Sequence, residues 1–155
     1  MGLLPKDSWK TCYQLTFDLY SVKAEGEYLC GRPDTSNDLY DELLKYCHED
    51  LLRAEICVTR LVESIGRGRW KLGIKFGLQG LGYLNIPFTS DDDEVNEALL
   101  QEQILFDEQI KNTRISQIIE LPEMSNQGLL IAMKILTNLN ACAFLLGDLV
   151  LLVVI

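Results

Sequence analysis

The stretch Gly66-Arg67-Gly68-Arg69-Trp70-Lys71-Leu72-Gly73-Ile74-Lys75-Phe76-Gly77-Leu78-Gln79-Gly80-Leu81 decides how this chain is read. Gly66-Arg67-Gly68 breaks one helix. Trp70, Ile74, Leu78, Leu81 and Leu84 then recur at the three- and four-residue steps of one helical face. Glycine inside a helix costs about 1 kcal/mol per site relative to alanine. Four of them in one helix, Gly73, Gly77, Gly80 and Gly82, are therefore expected only where a neighbouring helix comes too close for larger side chains. A membrane-helix dimer motif at Gly73 and Gly77 is disfavoured by the flanking Lys71 and Lys75. The stretch reads as the second helix of a tightly packed pair, ended at Asn85-Ile86-Pro87.

Helical periodicity continues on both sides. A long helix is expected from Ser8, capped by Asp7 or Ser8, with Trp9, Tyr13, Phe17, Tyr20, Ala24 and Tyr28 along one stripe. Gly and Pro in Cys30-Gly31-Arg32-Pro33 stop it. A second helix begins near Ser36 or Asn37, carries Leu39, Leu43, Leu44 and Cys47, and stops around His48. A third runs from about Asp50 to Ser64 with Leu51, Ala54, Val58, Leu61 and Ile65 on one face. Beyond Pro87, the acids Asp91-Asp92-Asp93-Glu94 favour the positive end of a helix carrying Val95, Leu99, Phe106 and Ile110. A short segment from Ile115 to Leu121 ends at Pro122, and Ser125 or Asn126 starts a helix through Leu130, Met133, Leu136 and Leu139. Nowhere do apolar and polar residues alternate between hairpin turns, so the expected class is all-α, with antiparallel helix pairs.

Two of these pairs look like repeats of one unit. Each has an Ala-Glu step in its first helix, Ala24-Glu25 and Ala54-Glu55, and a glycine before its second, Gly31 and Gly68. Those glycines lie 37 positions apart, near the ~34-residue period of tetratricopeptide units. Trp70 stands where such repeats place an aromatic, and Gly73 and Gly80 where they place small residues. Trp70, Gly73, Gly77, Gly80, Ala24 and Ala54 are thus the expected repeat-packing positions. Residues 1–88 are read as tetratricopeptide-like helix pairs of a solenoid, and 89–155 as further helices of the same array, cut short at the C-terminus.

Composition narrows the function classes. A chain of 155 residues has room for one domain or a short helical array, and not for two catalytic domains. Its net charge of -9 repels phosphate backbones, which argues against nucleic acid as a partner. Cys12, Cys30, Cys47, Cys57 and Cys142 are odd in number and contain no Cys-x-x-Cys pair, so they read as small buried thiols of a reducing, cytoplasmic compartment. The N-terminus lacks the features of a signal peptide and of a myristoylation site. The apolar run from Ile135 to Ile155 approaches the ~20 residues of a membrane span. Against that reading, Asn138, Asn140 and Asp148 lie within it, and Gly147-Asp148 looks like a helix stop followed by an N-cap. A tail-anchored membrane protein is kept as the alternative.

Catalytic templates find little to match. There is no phosphate-binding Gly-x-x-x-x-Gly-Lys loop, no Gly-x-Ser-x-Gly elbow and no His-Glu-x-x-His zinc pair. His48, the single histidine, lies in Cys47-His48-Glu49-Asp50 and reads as a cap or surface residue. Cys47 and His48 with Cys57 fall short of four zinc ligands, and a Cys–His dyad would need a third, orienting group. The acids from Asp91 to Glu94 lack the spacing of a calcium loop. No catalytic, cofactor-binding or metal residue is therefore assigned.

Longer motifs carry a family likeness. Leu81-Gly82-Tyr83-Leu84-Asn85-Ile86-Pro87 matches a Leu-Gly-Ile-x-Leu-Pro-like helix end. An acidic helix follows, and Ile115-Ser116-Gln117-Ile118-Ile119-Glu120-Leu121-Pro122-Glu123-Met124 matches an Ile-x-x-Leu-x-x-Leu-Pro-x-Met step. Ala132-Met133-Lys134-Ile135-Leu136 then matches an Ala-Met-x-x-Leu helix. In this order the motifs resemble the helical-repeat region of large sensor histidine kinases, which lies between an AAA-type ATPase domain and a GAF and histidine-kinase core. Trp9, Tyr13, Leu19-Tyr20, Ala24-Glu25 and Tyr28-Leu29 are similar to that region's entry helices, so the likeness covers nearly the whole chain. It implies a non-catalytic module of phosphorelay signalling, holding a protein partner or neighbouring kinase domains. Self-association through the C-terminal helix is expected where a next repeat is lacking. The kinase-like, ATPase, GAF and histidine-kinase domains are absent from these 155 residues, so no catalytic residue carries over.

Overall fold

Two helical hairpins turn on glycines that no other residue replaces without strain. The computed structural model describes residues 5, 7–87, 101, 103–108, 111, 122–148 and 152. A short α1 (Ser8–Thr11) precedes α2 (Tyr13–Leu29), α3 (Pro33–Tyr46), α4 (Asp50–Gly66), α5 (Trp70–Tyr83) and α6 (Gln127–Leu146). Between α2 and α3, Gly31 takes φ 79°. Its N–H donates to Tyr28 O (3.0 Å), and the Arg32 N–H to Glu27 O (2.9 Å). Between α4 and α5, Gly68 takes φ 68°. Its N–H donates to Ile65 O (2.9 Å), and the Arg69 N–H to Ser64 O (2.9 Å). The same closing pair of bonds satisfies the last carbonyls of both helices and reverses the chain within three residues.

The chain is all-helical, with no strand among the described residues. α6 begins on Asn126, whose Oδ1 accepts from the Leu129 N–H at 3.1 Å. It ends at Gly147 in the left-handed conformation, so the apolar run from Ile135 is not one uninterrupted helix.

Several boundaries differ from expectation. The first helix is not continuous, because Cys12 at φ -140°, ψ 53° separates α1 from α2. Asp7 holds the N-cap place without a side-chain cap bond. The displaced turn lays Trp9 against Tyr20 and stacks it on Tyr46, with ring centroids 4.9 and 4.6 Å away. α3 starts at Pro33, three residues ahead of Ser36, since proline is suited to a helix's first turn, where its missing N–H leaves nothing unsatisfied. It stops at Tyr46, short of His48. The cysteines divide: Cys47, Cys57 and Cys142 are buried, while Cys12 and Cys30 are exposed at helix ends, and all five are free thiols. The readings on Asp91–Glu94, Val95, Leu99, Ile110 and Ile115–Leu121 lie outside the described residues. Within residues 103–108, which are helical, Ile104, Leu105 and Phe106 are exposed.

The main core is built by α4, α5 and α6, from Ala54, Leu61, Phe76, Leu81, Ile135 and Leu139, with Trp70 partly buried against it. α5 lies against both α4 and α6, and its glycines serve both contacts. A Cβ on Gly77 would lie 2.6 Å from Leu139 of α6, and one on Gly80 2.8 Å from Ile135 of α6 and 3.0 Å from Cys57 of α4. One on Gly73 would meet Leu61 of α4 at 3.2 Å and Cys142 of α6 at 3.3 Å. The small-residue stripe therefore admits a third helix as well as the hairpin partner. Gly82 is different: nothing lies within 4 Å of where its Cβ would stand. A second, smaller core joins Ala24 of α2 and Tyr40 and Leu43 of α3 with Ile56 of α4.

Candidate functional site

α4 separates the two cores, and it does so with two unlike faces. Ala54 and Leu61 point into the three-helix core, whereas Ile56, Arg60 and Glu63, at steps of four and three, face the α2–α3 hairpin. Arg60 is the centre of this second face. Its side chain is only 5% exposed. Nε and Nη2 donate to Asn37 Oδ1 at 3.2 and 3.1 Å, and Nη1 donates to Asp41 Oδ1 at 2.7 Å. The guanidinium also lies 3.9 Å from the centre of the Phe76 ring, so one cation touches α3 and α5 at once.

Glu63 forms the other half of the junction. Tyr40 donates to its Oε1 at 2.9 Å, and the Tyr28 hydroxyl donates to its backbone carbonyl at 3.4 Å. Burial raises the Glu63 carboxyl above the usual carboxylate range, a rise that the Tyr40 hydrogen bond opposes and nearby Glu25 adds to. Burial also raises the Tyr40 hydroxyl, helped by the charge of Glu63, so it stays a proton donor at neutral pH. Arg67 adds a bond from Nη2 to Tyr28 O (2.8 Å), and Arg69 reaches Asp34 at 3.5 Å.

Above Arg60 an open cleft of about 560 Å³ runs between α3 and α5. Asp34, Asn37 and Asp41 form one wall, and Lys75, Phe76 and Gln79 the other. Because Asn37 and Asp41 already occupy the Arg60 donors, this cation ties the hairpin to the core before it meets any ligand.

The second surface is apolar. α6 buries Ile131, Ala132, Ile135, Leu139, Cys142 and Ala143, while Met133 and Phe144 on its other side are 51% and 73% exposed. Between them, Leu136, Thr137, Asn140 and Ala141 complete an open face on this one helix. By length and composition α6 is also a helix that a membrane accepts, although a third of its most apolar window is buried in the fold.

The residues singled out in the sequence fall as follows. Ala54, Gly73, Gly77 and Gly80 converge, with Trp70 at the edge, on the three-helix core, while Ala24 is wholly buried in the smaller one. His48 is exposed in the link between α3 and α4, where its ring stacks on Tyr13 at 6.4 Å. The Cys47 Sγ donates weakly to Glu49 O at 3.5 Å. Cys57 packs beside Gly80, and burial pushes its thiol up to about 11, which keeps it protonated and poor as a nucleophile or ligand. Among the described residues no three His, Cys, Asp or Glu side chains come together to hold a metal ion. Arg60, Glu63 and Tyr40 were not legible in advance; the only signal is that Ile56, Arg60 and Glu63 share a stripe that apolar periodicity passes over.

No protein-family model, no curated protein and no solved structure matches this chain.

Proposed function

We propose that this chain is a non-catalytic α-helical interaction module, a tetratricopeptide-like array belonging to a cytoplasmic signalling protein of the sensor histidine kinase type. Two hairpins closed by the same glycine turn support the repeat reading, and the motif order from Leu81 to Leu136 supports the kinship. The observation that carries the interaction role is the outer face of α6, where Leu129, Met133, Phe144 and Leu145 are about half exposed or more. These side chains flank the exposed Thr137 and Asn140, and large apolar groups left on one helix face with a few polar ones among them are the kind of surface that a protein partner covers. Size-exclusion chromatography combined with an apolar fluorescent dye tests it. The module self-associates, or binds the dye in its folded state; a clean monomer that ignores the dye contradicts the reading.

A second reading, a tail-anchored membrane protein, draws on the length and composition of α6. It is weakened by Lys134, Asn138 and Asn140 within that helix and by the packing of its inner side against α5. Carbonate extraction separates the two: an anchored chain stays in the membrane pellet and a module is released.

A further inference from the structure

We infer that the cleft between α3 and α5 takes an extended peptide segment of alternating charge, its acidic side chains turned to α5 and its basic ones to α3. This adds a surface to the module reading and does not depend on the outer face of α6. The two walls are oppositely charged in sequence. α3 carries Asp34, Asp38, Asp41 and Glu42 against Lys45, whereas α5 carries Lys71 and Lys75 and no acid. α5 is held by α4 and α6, and α3 chiefly by α2, so the walls stand apart around a gap of about 560 Å³. Ligand sites span roughly 300–1,000 Å³.

Some charges of the cleft are spent within the chain. Arg60 binds Asn37 and Asp41 at the floor, and Arg69 reaches Asp34 at 3.5 Å and closes one end. Beyond that end the two signs are not joined. Lys75 is exposed and makes no hydrogen bond or ion pair among the described residues. Asp41, its side chain 67% exposed, gives one oxygen to Arg60 and keeps the other. Lys75 and Asp41 line the same cleft yet lie too far apart to form an ion pair. Beside them Gln79 donates from Nε2 to the Tyr83 hydroxyl at 3.1 Å and keeps its carbonyl oxygen. A cation on one wall and a carboxylate oxygen on the other, each without a partner, are matched by an occupant that carries both signs.

An extended segment provides this by geometry. Successive side chains of a strand point to opposite sides, so a peptide that alternates in sign sorts every acid to one wall and every base to the other. At 1.5 Å per helical residue, Asp34 and Asp41 lie ~10 Å apart along α3, and Arg69 and Lys75 ~9 Å apart along α5. Same-side residues of a strand repeat every ~6.7 Å, and the long side chains of glutamate and lysine make up the remainder. The Gln79 oxygen can accept a backbone N–H of the segment, and Leu72 offers an apolar floor to its side-chain stems. Net charge decides between occupants. At -9 the chain repels an acidic segment, and a purely basic one meets Arg69 and Lys75 on the α5 wall. A neutral segment of alternating sign meets neither obstacle.

Fluorescence anisotropy of a labelled hexapeptide of alternating glutamate and lysine, titrated with the full chain at low salt, tests the cleft. Saturable binding is expected, and it weakens as salt is raised, because exposed charge pairs are screened. Lys75→Glu, at an exposed position, weakens binding by at least about tenfold. Lys71→Glu changes the net charge by the same amount from outside the cleft, and shifts the affinity by less than about twofold. A hexapeptide of three glutamates followed by three lysines binds at least about fivefold more weakly, since its charges cannot sort to the two walls. Absence of binding by the alternating peptide overturns the inference, as does binding that Lys75→Glu and Lys71→Glu weaken alike. Equal binding of the blocked peptide, or of a hexapeptide of glutamate alone, also overturns it and marks α5 as a plain basic surface. None of these outcomes bears on self-association or dye binding, by which the module reading stands or falls.

Discussion

The three-helix unit α4–α5–α6 and the α2–α3 hairpin contain helices of similar length, yet they are held by different physics. In the first, glycines let α5 press against two neighbours, and the contacts are apolar and close. In the second, α3 touches α4 only sparingly, and most named ties across the junction are polar: Arg60 with Asn37 and Asp41, Tyr40 with Glu63, Arg67 with Tyr28. Close apolar packing is sensitive to single methyl groups. Polar ties are each worth less, because folding exchanges them for hydrogen bonds to water. The difference teaches that helix hairpins with equivalent turns need not be equivalent units of stability.

The largest expected effect lies at the α5–α6 contact. Leu139→Ala removes a fully buried side chain and costs about 2–5 kcal/mol in chemical denaturation. Gly77→Ala forces a Cβ to within 2.6 Å of that same leucine and costs about 1–3 kcal/mol. Combined with Leu139→Ala, the Gly77→Ala cost falls to near zero, since the cavity receives the new methyl; costs that simply add would break the close-approach account.

At the junction, Arg60→Ala removes the charged hydrogen bonds to Asn37 and Asp41 and the contact with Phe76, at an expected cost of about 1–3 kcal/mol. Limited proteolysis of that variant is expected to cut α2 and α3 before α4 to α6. Uniform cleavage would erase the contrast between the two regions.

Gly82→Ala sharpens the comparison from the other side. Its position has open space and an exposed backbone, so alanine stabilises the chain by about 0.5–1 kcal/mol through helix propensity. A loss there would mean that the glycines of α5 serve something other than close approach.

The smallest effect is a pH dependence. The folded-state pKa of Glu63 is raised, so the folded chain binds this proton more readily than the unfolded chain. Its contribution is fully present below the ordinary value of 4.5 and is lost as pH rises through the higher folded value. Thermal melts between pH 7 and 4 should therefore show the wild type gaining stability relative to Glu63→Gln as pH falls. Parallel curves would contradict the burial of this carboxyl.

How much of this was readable in advance follows from which residues mark the backbone and which mark only a surface. Gly31, Gly68 and Gly147 carry turns that other residues resist, so helix ends at these points were legible. The break at Cys12 was not, because neither glycine nor proline stands there, and the aromatic stripe from Trp9 to Tyr20 runs across it. Pro33 read as a stop because it follows Gly31, although a helix's first turn suits it equally well. The crowded glycines announced a close neighbour, but not that α6, more than forty residues later in the chain, would be one of two. Arg60 was hidden for a simpler reason: an arginine on a helix reads as solvated until its acceptors on another helix are known.

Native-state hydrogen exchange tests the contrast most directly. The account predicts that amides in the middle of α4, α5 and α6 exchange only with global unfolding, while those of α2 and α3 exchange through a lower-energy opening that Arg60→Ala makes still easier. Equal protection of all five helices, unchanged by Arg60→Ala, would contradict it.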